Sequence, residues 1–144
     1  MIETTKNTIF AIGTLLLLFS CSNNDDNTKP AILGCNMPNI IDLSENEVQF
    51  KSEGDSVTIT TGSQNWSLSE IQLEGKPQYN LAKVDVIAPT FIVQDSVFTV
   101  ERRDRNELYI KMSENKTDEN RKLLITLQQG NCFDGIRVEQ VKKS

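Results

Sequence analysis

The chain has 144 residues, 15 Lys and Arg against 20 Asp and Glu, a formal charge of −5 and no histidine. That length fits one domain with short extensions. Without histidine, Ser-His-Asp and Cys-His catalysis and His-ligated zinc are excluded. The acidic balance argues against a nucleic-acid partner, which needs a basic face.

Residues 1–20 differ from the rest. Lys6 gives a weakly basic start, offset by Glu3, and Ile9–Phe19 is an uncharged apolar run. At about 1.5 Å per residue that run is too short to cross a ~30 Å hydrocarbon core, but it suits the apolar region of a signal peptide. It ends in Leu18-Phe19-Ser20-Cys21. This resembles the lipobox of bacterial lipoproteins, with Phe19 departing from the small residue usual at its place. The resemblance implies cleavage after Ser20, acylation of the Cys21 thiol and a membrane partner reached through the lipid. Several acyl chains, at about 0.8 kcal/mol per buried CH₂, hold a protein stably. The alternative is an ordinary secretory signal with an incidental Cys21.

Ser22–Pro30 contains no apolar residue and reads as a solvated tether. Its Asp25-Asp26 pair resembles the acidic export signal of Bacteroidetes surface lipoproteins. That likeness implies an outer-membrane protein facing the cell surface; a spacer facing the periplasm is the alternative. The chain thus divides into a leader 1–20, an acylated cysteine and tether 21–43, and a domain 44–144. Cys35 and Cys132 are left as an even pair in an extracytoplasmic compartment, where one disulfide is expected. Closing a loop of about 100 residues restricts the unfolded chain by up to about 4.7 kcal/mol in the chain-entropy model. Two separate buried thiols are the alternative.

From Glu45 onward apolar residues alternate with polar ones: Val48 and Phe50, Val57 and Ile59, Trp66 and Leu68, Val84 and Val86, Phe98 and Val100. The pattern continues through Leu108, Ile110 and Met112, then Leu123, Ile125 and Leu127, then Ile136 and Val138. Period two gives each run one covered and one wet face. Turn-forming clusters separate the runs at Glu53-Gly54-Asp55, Thr61-Gly62-Ser63, Gly75-Lys76-Pro77, Arg103–Asn106, Glu114–Asp118 and Gly130-Asn131. Seven to eight short strands in about 100 residues predict an all-β fold, an antiparallel immunoglobulin-like β-sandwich, with a small closed barrel as rival.

The last part of the chain carries a resemblance. Asn115, Arg121, the strand Leu123–Leu127, a hairpin at Gln129–Asn131 and a terminal Val138-Glu139-Gln140 look like the closing hairpin of BACON domains. Asn65-Trp66-Ser67-Leu68 resembles that family's tryptophan strand. The likeness runs from Val48 to Val141 with loose motifs, and Glu70–Phe91 does not follow it closely. It implies a Bacteroidetes-associated sandwich without catalytic activity, proposed in that family either to bind glycan or a partner protein or to act as a spacer or accessory subunit.

The residues themselves mark no catalytic centre. Asp104 and Glu107, and Asp118 and Glu119, flank turns without the spacing of a glycosidase pair. Two cysteines without histidine make no closed zinc shell, Asn115–Asn120 lacks calcium-loop spacing, and no cofactor is implied. Candidate binding residues are aromatic. Tyr109 points away from the face of Leu108, Ile110 and Met112, with Lys111 beside it, as a platform for a sugar ring. Tyr79 and Phe133 are expected in loops from which they could join it. Asp55-Ser56-Val57 and Asp95-Ser96-Val97 look like O-glycosylation sites of exported proteins in that phylum, at Ser56 and Ser96.

Overall fold

A computed structural model describes Cys35, Met37 and residues 39–77 and 81–144. The leader, Cys21, the tether through residue 34, and Tyr79 lie outside the described residues. The described chain forms β1 Glu47–Phe50, β2 Asp55–Thr60, β3 Ser67–Leu73, β4 Lys76–Pro77, β5 Phe91–Gln94, β6 Phe98–Arg103, β7 Glu107–Met112, β8 Arg121–Gln129 and β9 Cys132–Gln140. One 3₁₀ turn, Leu81–Lys83, is the only helical element among these residues.

The strands make two sheets, ordered β1-β9-β8-β3-β4 and β2-β7-β6-β5. Here β3, β8 and β9 stand where strands C, F and G stand in an immunoglobulin-like sandwich, and β2, β7 and β6 stand where B, E and D do. Alternation explains the core. Ile59, Val100, Leu108 and Ile110 from one sheet face Leu68, Ile125, Leu127 and Ile136 from the other, all buried. Trp66, just before β3, fills the centre of one end.

Three expectations are corrected. First, the packed body starts before residue 44. Ile41 is 1% exposed, and residues 41–44 run beside the end of β2. Gly62 N–H donates to Asp42 O (2.9 Å), and Ser44 N–H donates to Thr60 O (2.9 Å). The chain then changes sheets, so β1 pairs with β9 in parallel, from Glu47↔Arg137 to Phe50↔Gln140. The sandwich is therefore not purely antiparallel: an arm arriving from the other sheet meets β9 running the same way.

Second, Val84-Asp85-Val86 is not a strand. It follows the 3₁₀ turn, and both valines lean on the core while the chain crosses between sheets. One hydrogen bond, Leu68 N–H to Val86 O (3.3 Å), reaches it where the β3–β8 register shifts between Leu68 and Glu70. The edge strand is instead β5. Third, Phe133 lies in β9, not in a loop.

Cys35 and Cys132 form a disulfide with a Cα–Cα distance of 4.7 Å across a sequence separation of 97. It ties the start of the described arm to the turn between β8 and β9.

Candidate functional site

Four segments meet at the disulfide end of the sandwich: Thr61–Trp66 leading into β3, residues 87–90 before β5, the loop 104–106 between β6 and β7, and the turn Gly130-Asn131. Arg102 ties the first three together. It is the third inward position of β6 after Phe98 and Val100, and it is 1% exposed. Its guanidinium lies 3.8 Å from the centroid of the Trp66 ring. The indole is itself fixed, its Nε1–H donating to Thr61 Oγ1 (2.8 Å) and its ring meeting Phe91 edge-on at 6.4 Å.

Every N–H of Arg102 finds a backbone carbonyl. Nε donates to Arg105 O (2.9 Å) and Nη2 to Arg105 O (2.7 Å) and Gln64 O (2.8 Å). Nη1 donates to Trp66 O (3.0 Å) and Ala88 O (3.1 Å). No carboxylate is among these partners. Burial, and secondarily the charge of Arg105, push the Arg102 pKa down. An arginine nonetheless remains charged in a protein. A buried cation is costly unless its hydrogen bonds are met. Here carbonyls from separate segments meet them, so all must hold their places together.

Over this frame lies an open depression of ≈ 460 Å³. Gln64, Asn65, Ser67, Ile87, Arg105 and Gln128 are among the residues that line it. Ser67 Oγ donates to Gln128 O (3.4 Å) and Gln128 Nε2 to Gly130 O (2.9 Å). Ile87 is 70% exposed. Among the described residues the Arg105 side chain makes no ion pair, and no carboxylate lines the depression. The loop that carries it is strained: Asp104 (φ 44°) and Arg105 (φ 63°) are consecutive left-handed residues, and neither is glycine. An L-residue there costs roughly 1 kcal/mol or more, although aspartate tolerates the conformation. The strain is held by Arg105 N–H donating to Pro89 O (3.0 Å) and by the two Arg102 bonds to Arg105 O.

A second concavity, ≈ 380 Å³, runs over the outer face of the five-stranded sheet past Glu47, Gln49, Lys122, Leu124, Arg137 and Glu139. Much of its charge is already matched. Arg137 lies 3.5 Å from Glu47. Asn120 Nδ2 donates to Glu139 Oε1 (3.0 Å) and Gln49 Nε2 to Glu139 Oε2 (3.5 Å). Those two bonds, Asn120's first, hold the Glu139 carboxyl below the usual range.

Among the described residues, no aromatic platform gathers around Tyr109. Tyr109 does point out from β7, but it is half-buried, and the Arg103 guanidinium covers its ring at 3.9 Å from the centroid. Arg103 Nη2 in turn donates to Glu101 Oε2 (2.6 Å), a contact that lowers the Glu101 pKa and raises that of Arg103. Lys111 is exposed on the same face, level with Ser56 and Thr99. Phe133, 37% exposed, stands on the other sheet opposite Gln128. Tyr109 and Phe133 therefore form no common surface, and Tyr79 lies outside the described residues.

Ser56 and Ser96 are both exposed. Asp55 Oδ1 accepts from Ser56 N–H (2.8 Å), and Asp95 Oδ1 accepts from Ser96 Oγ (2.9 Å) and Val97 N–H (2.7 Å). The aspartates thus shape the backbone at both places.

Of the loop-end residues, the sequence offers Asn65 and Ser67 only within the tryptophan-strand likeness and Arg105 only as part of a turn. The phase of β6 carried one signal: counting inward from Phe98 and Val100 reaches Arg102. Nothing in the sequence placed Gln64, Asn65 and Gln128 together.

No family model matches the chain, and no curated protein does. Solved structures do. A protein from Bacteroides thetaiotaomicron, determined by NMR, is 22% identical with a TM-score of 0.57 over 71% of this chain and 80% of that one. That is a likeness of fold. The titin M3 domain (6% identity, TM-score 0.41, 71% of this chain and 95% of that one) and titin domain M7 (7%, 0.38, 71% and 92%) are also similar.

Proposed function

We propose that this immunoglobulin-like sandwich is a lipid-anchored, extracytoplasmic, BACON-like binding module without catalytic activity, which takes its ligand at the disulfide end. Cys21 is the anchor, and the outer membrane, facing the cell surface, is the location. The observation that supports binding is Arg102. A spacer needs only a closed core. Here a buried cation locks three segments beneath an open depression, and a rigid frame lowers the ordering cost of binding. The absence of a shared aromatic surface among the described residues speaks against sugar stacking on a sheet face, so Tyr109, Lys111 and Phe133 are not the ligand platform in this reading.

The BACON likeness draws support from what its residues do. Asn115 and Gln140 are completely buried. Asn115 Nδ2 donates to Glu119 O (2.8 Å) and Val141 O (3.1 Å), and Gln140 Nε2 donates to Ser113 O (2.8 Å). They close the end opposite the depression, which is a reason for a family pattern to keep them.

Two experiments test the reading. Fractionation of cells making the Cys21→Ser protein should find it released from membranes; retention removes the anchor. Arrays of glycans and surface proteins should capture the wild-type protein, and Asn65→Ala with Gln128→Ala should abolish capture while Tyr109→Ala leaves it intact. Capture lost with Tyr109→Ala instead returns the site to the sheet face, and no capture at all favours the spacer.

A further inference from the structure

Within the binding-module reading, on which this step rests, we infer that the depression at the disulfide end recognises a carboxylated sugar, a uronic-acid residue of an acidic glycan, through Arg105. Four independent features converge there. The lining carries one guanidinium and no carboxylate, although the chain as a whole is acid-rich at −5. Arg105 makes no ion pair among the described residues, so its planar fork is open for a bidentate carboxylate. The exposed Gln64 and Asn65 amides share the lining with it and offer donors and acceptors to vicinal hydroxyls, the Ser67 hydroxyl and the Gln128 amide being turned to Gln128 O (3.4 Å) and Gly130 O (2.9 Å), and Ile87 offers an apolar wall to the C–H side of a ring. Finally, the backbone accepts strain to put this residue here. Glycine is the usual occupant of a left-handed position, yet Arg105 holds φ 63°.

The buried neighbour contributes from below. Arg102 spends all its donors on carbonyls, including that of Arg105, and so fixes the backbone from which the Arg105 side chain rises. It also leaves a second positive charge, uncompensated by any carboxylate, under the floor. Acidic Asp104 borders a different surface, with Ile92 and Arg103. The size of the depression, ≈ 460 Å³, falls among ordinary small-ligand sites. Acidic side chains of a protein partner would meet Arg105 equally well, but they would leave the exposed Gln64 and Asn65 amides unused, whereas a polyhydroxylated ligand has groups for both.

The test is a titration of the exported, disulfide-bonded protein, observed by amide NMR, with trigalacturonate, its methyl ester and a hexaglutamate peptide. The ester keeps every hydroxyl and loses the charge. The expected result is movement of the Gln64, Asn65 and Gln128 signals by trigalacturonate. Binding should be at least about 10-fold weaker for the ester and for Arg105→Gln, and should weaken with salt. Equal binding of acid and ester overturns the acidic class while the loop-end module stands. Movement by the peptide alone reassigns the site to an acidic protein and also overturns the proposal. If no probe moves these signals, the proposal falls, and failure to capture any ligand on the arrays takes the module with it.

Discussion

At one end of the sandwich a guanidinium, Arg102, gathers carbonyls from three segments; at the other, two amides, Asn115 and Gln140, gather carbonyls with neutral groups. An amide carries donor and acceptor together. Asn115 donates to Glu119 O and Val141 O while its Oδ1 accepts from Thr117 N–H (3.1 Å) and Thr117 Oγ1 (2.7 Å), so the corner closes on itself. A guanidinium only donates. It collects carbonyls that point inward, and the charge it brings stays behind. Gln140 Nε2 donates to Lys51 O (3.1 Å) and Ser113 O (2.8 Å), while its buried Oε1 meets no partner among the described residues. The amide end is covered by protein, whereas the guanidinium end is open and cationic. The same task of tying loops to a core is solved once for closure and once in a way that leaves a surface able to bind.

The largest expected effect is that of Arg102→Met, which keeps length and apolar bulk but removes every donor. The carbonyls of Gln64, Trp66, Ala88 and Arg105 lose a charged partner, for a loss of about 3–5 kcal/mol in urea unfolding. Arg102→Lys recovers part of this, since an ammonium cannot span the same fork or stack flat on Trp66. A loss below about 1 kcal/mol would mean that water serves those carbonyls and that the two ends do not differ as described.

Asn115→Ala should cost less, about 2–3 kcal/mol, because the bonds it removes are neutral. The ends are far apart and share no partner, so the costs of Arg102→Met and Asn115→Ala should add to within about 0.5 kcal/mol in the double variant. Marked non-additivity would show that one end senses the other.

Much of the fold is legible in the sequence, because alternation reports directly which side chains are covered. Phe50, Trp66 and Phe98 are core as expected, and Ile110 and Met112 face in where Tyr109 faces out. The same signal misled at Val84 and Val86. It records coverage, not a ladder partner, and a crossing segment can lean two valines on a core without pairing. Residues 41–44 were hidden for the opposite reason: four residues beside β2 are too few to show a period. The loop end was illegible in larger part. Gln64, Asn65, Arg105 and Gln128 come from different turns, and only the sandwich brings them together. Arg102 reads as a surface charge unless the phase of β6 is trusted over the residue type. Tyr109 shows the converse limit, since phase gives its direction but not that Arg103, two strand positions away in register from Glu101, lies on its ring.

Arg105→Gly sharpens the contrast by separating stability from binding. Glycine relieves the left-handed strain, loses no backbone bond and costs some entropy in the unfolded chain. Stability should stay level or rise by up to about 1 kcal/mol, while trigalacturonate binding is lost. A clear drop in stability would make the side chain a structural element and remove the reason for its place at the rim.

The smallest expected effect lies in pH. Near the closed end, hydrogen bonds from Asn120 and then Gln49 hold the folded-state pKa of Glu139 below the ordinary glutamate value. A carboxyl with a depressed folded pKa adds stability that is present above its unfolded pKa and is lost as the pH falls through the folded value. Glu139→Gln should therefore be slightly less stable than the wild type near neutral pH, and the gap should close on acidification below about 4.5, measured by urea unfolding across the range. No carboxylate lines the depression, and arginine does not titrate there. The cost of Arg102→Met should accordingly stay constant over the same pH range. A cost that shrank in parallel with that of Glu139→Gln would mean an acidic group supports the guanidinium after all, and the difference between the two ends would be one of degree.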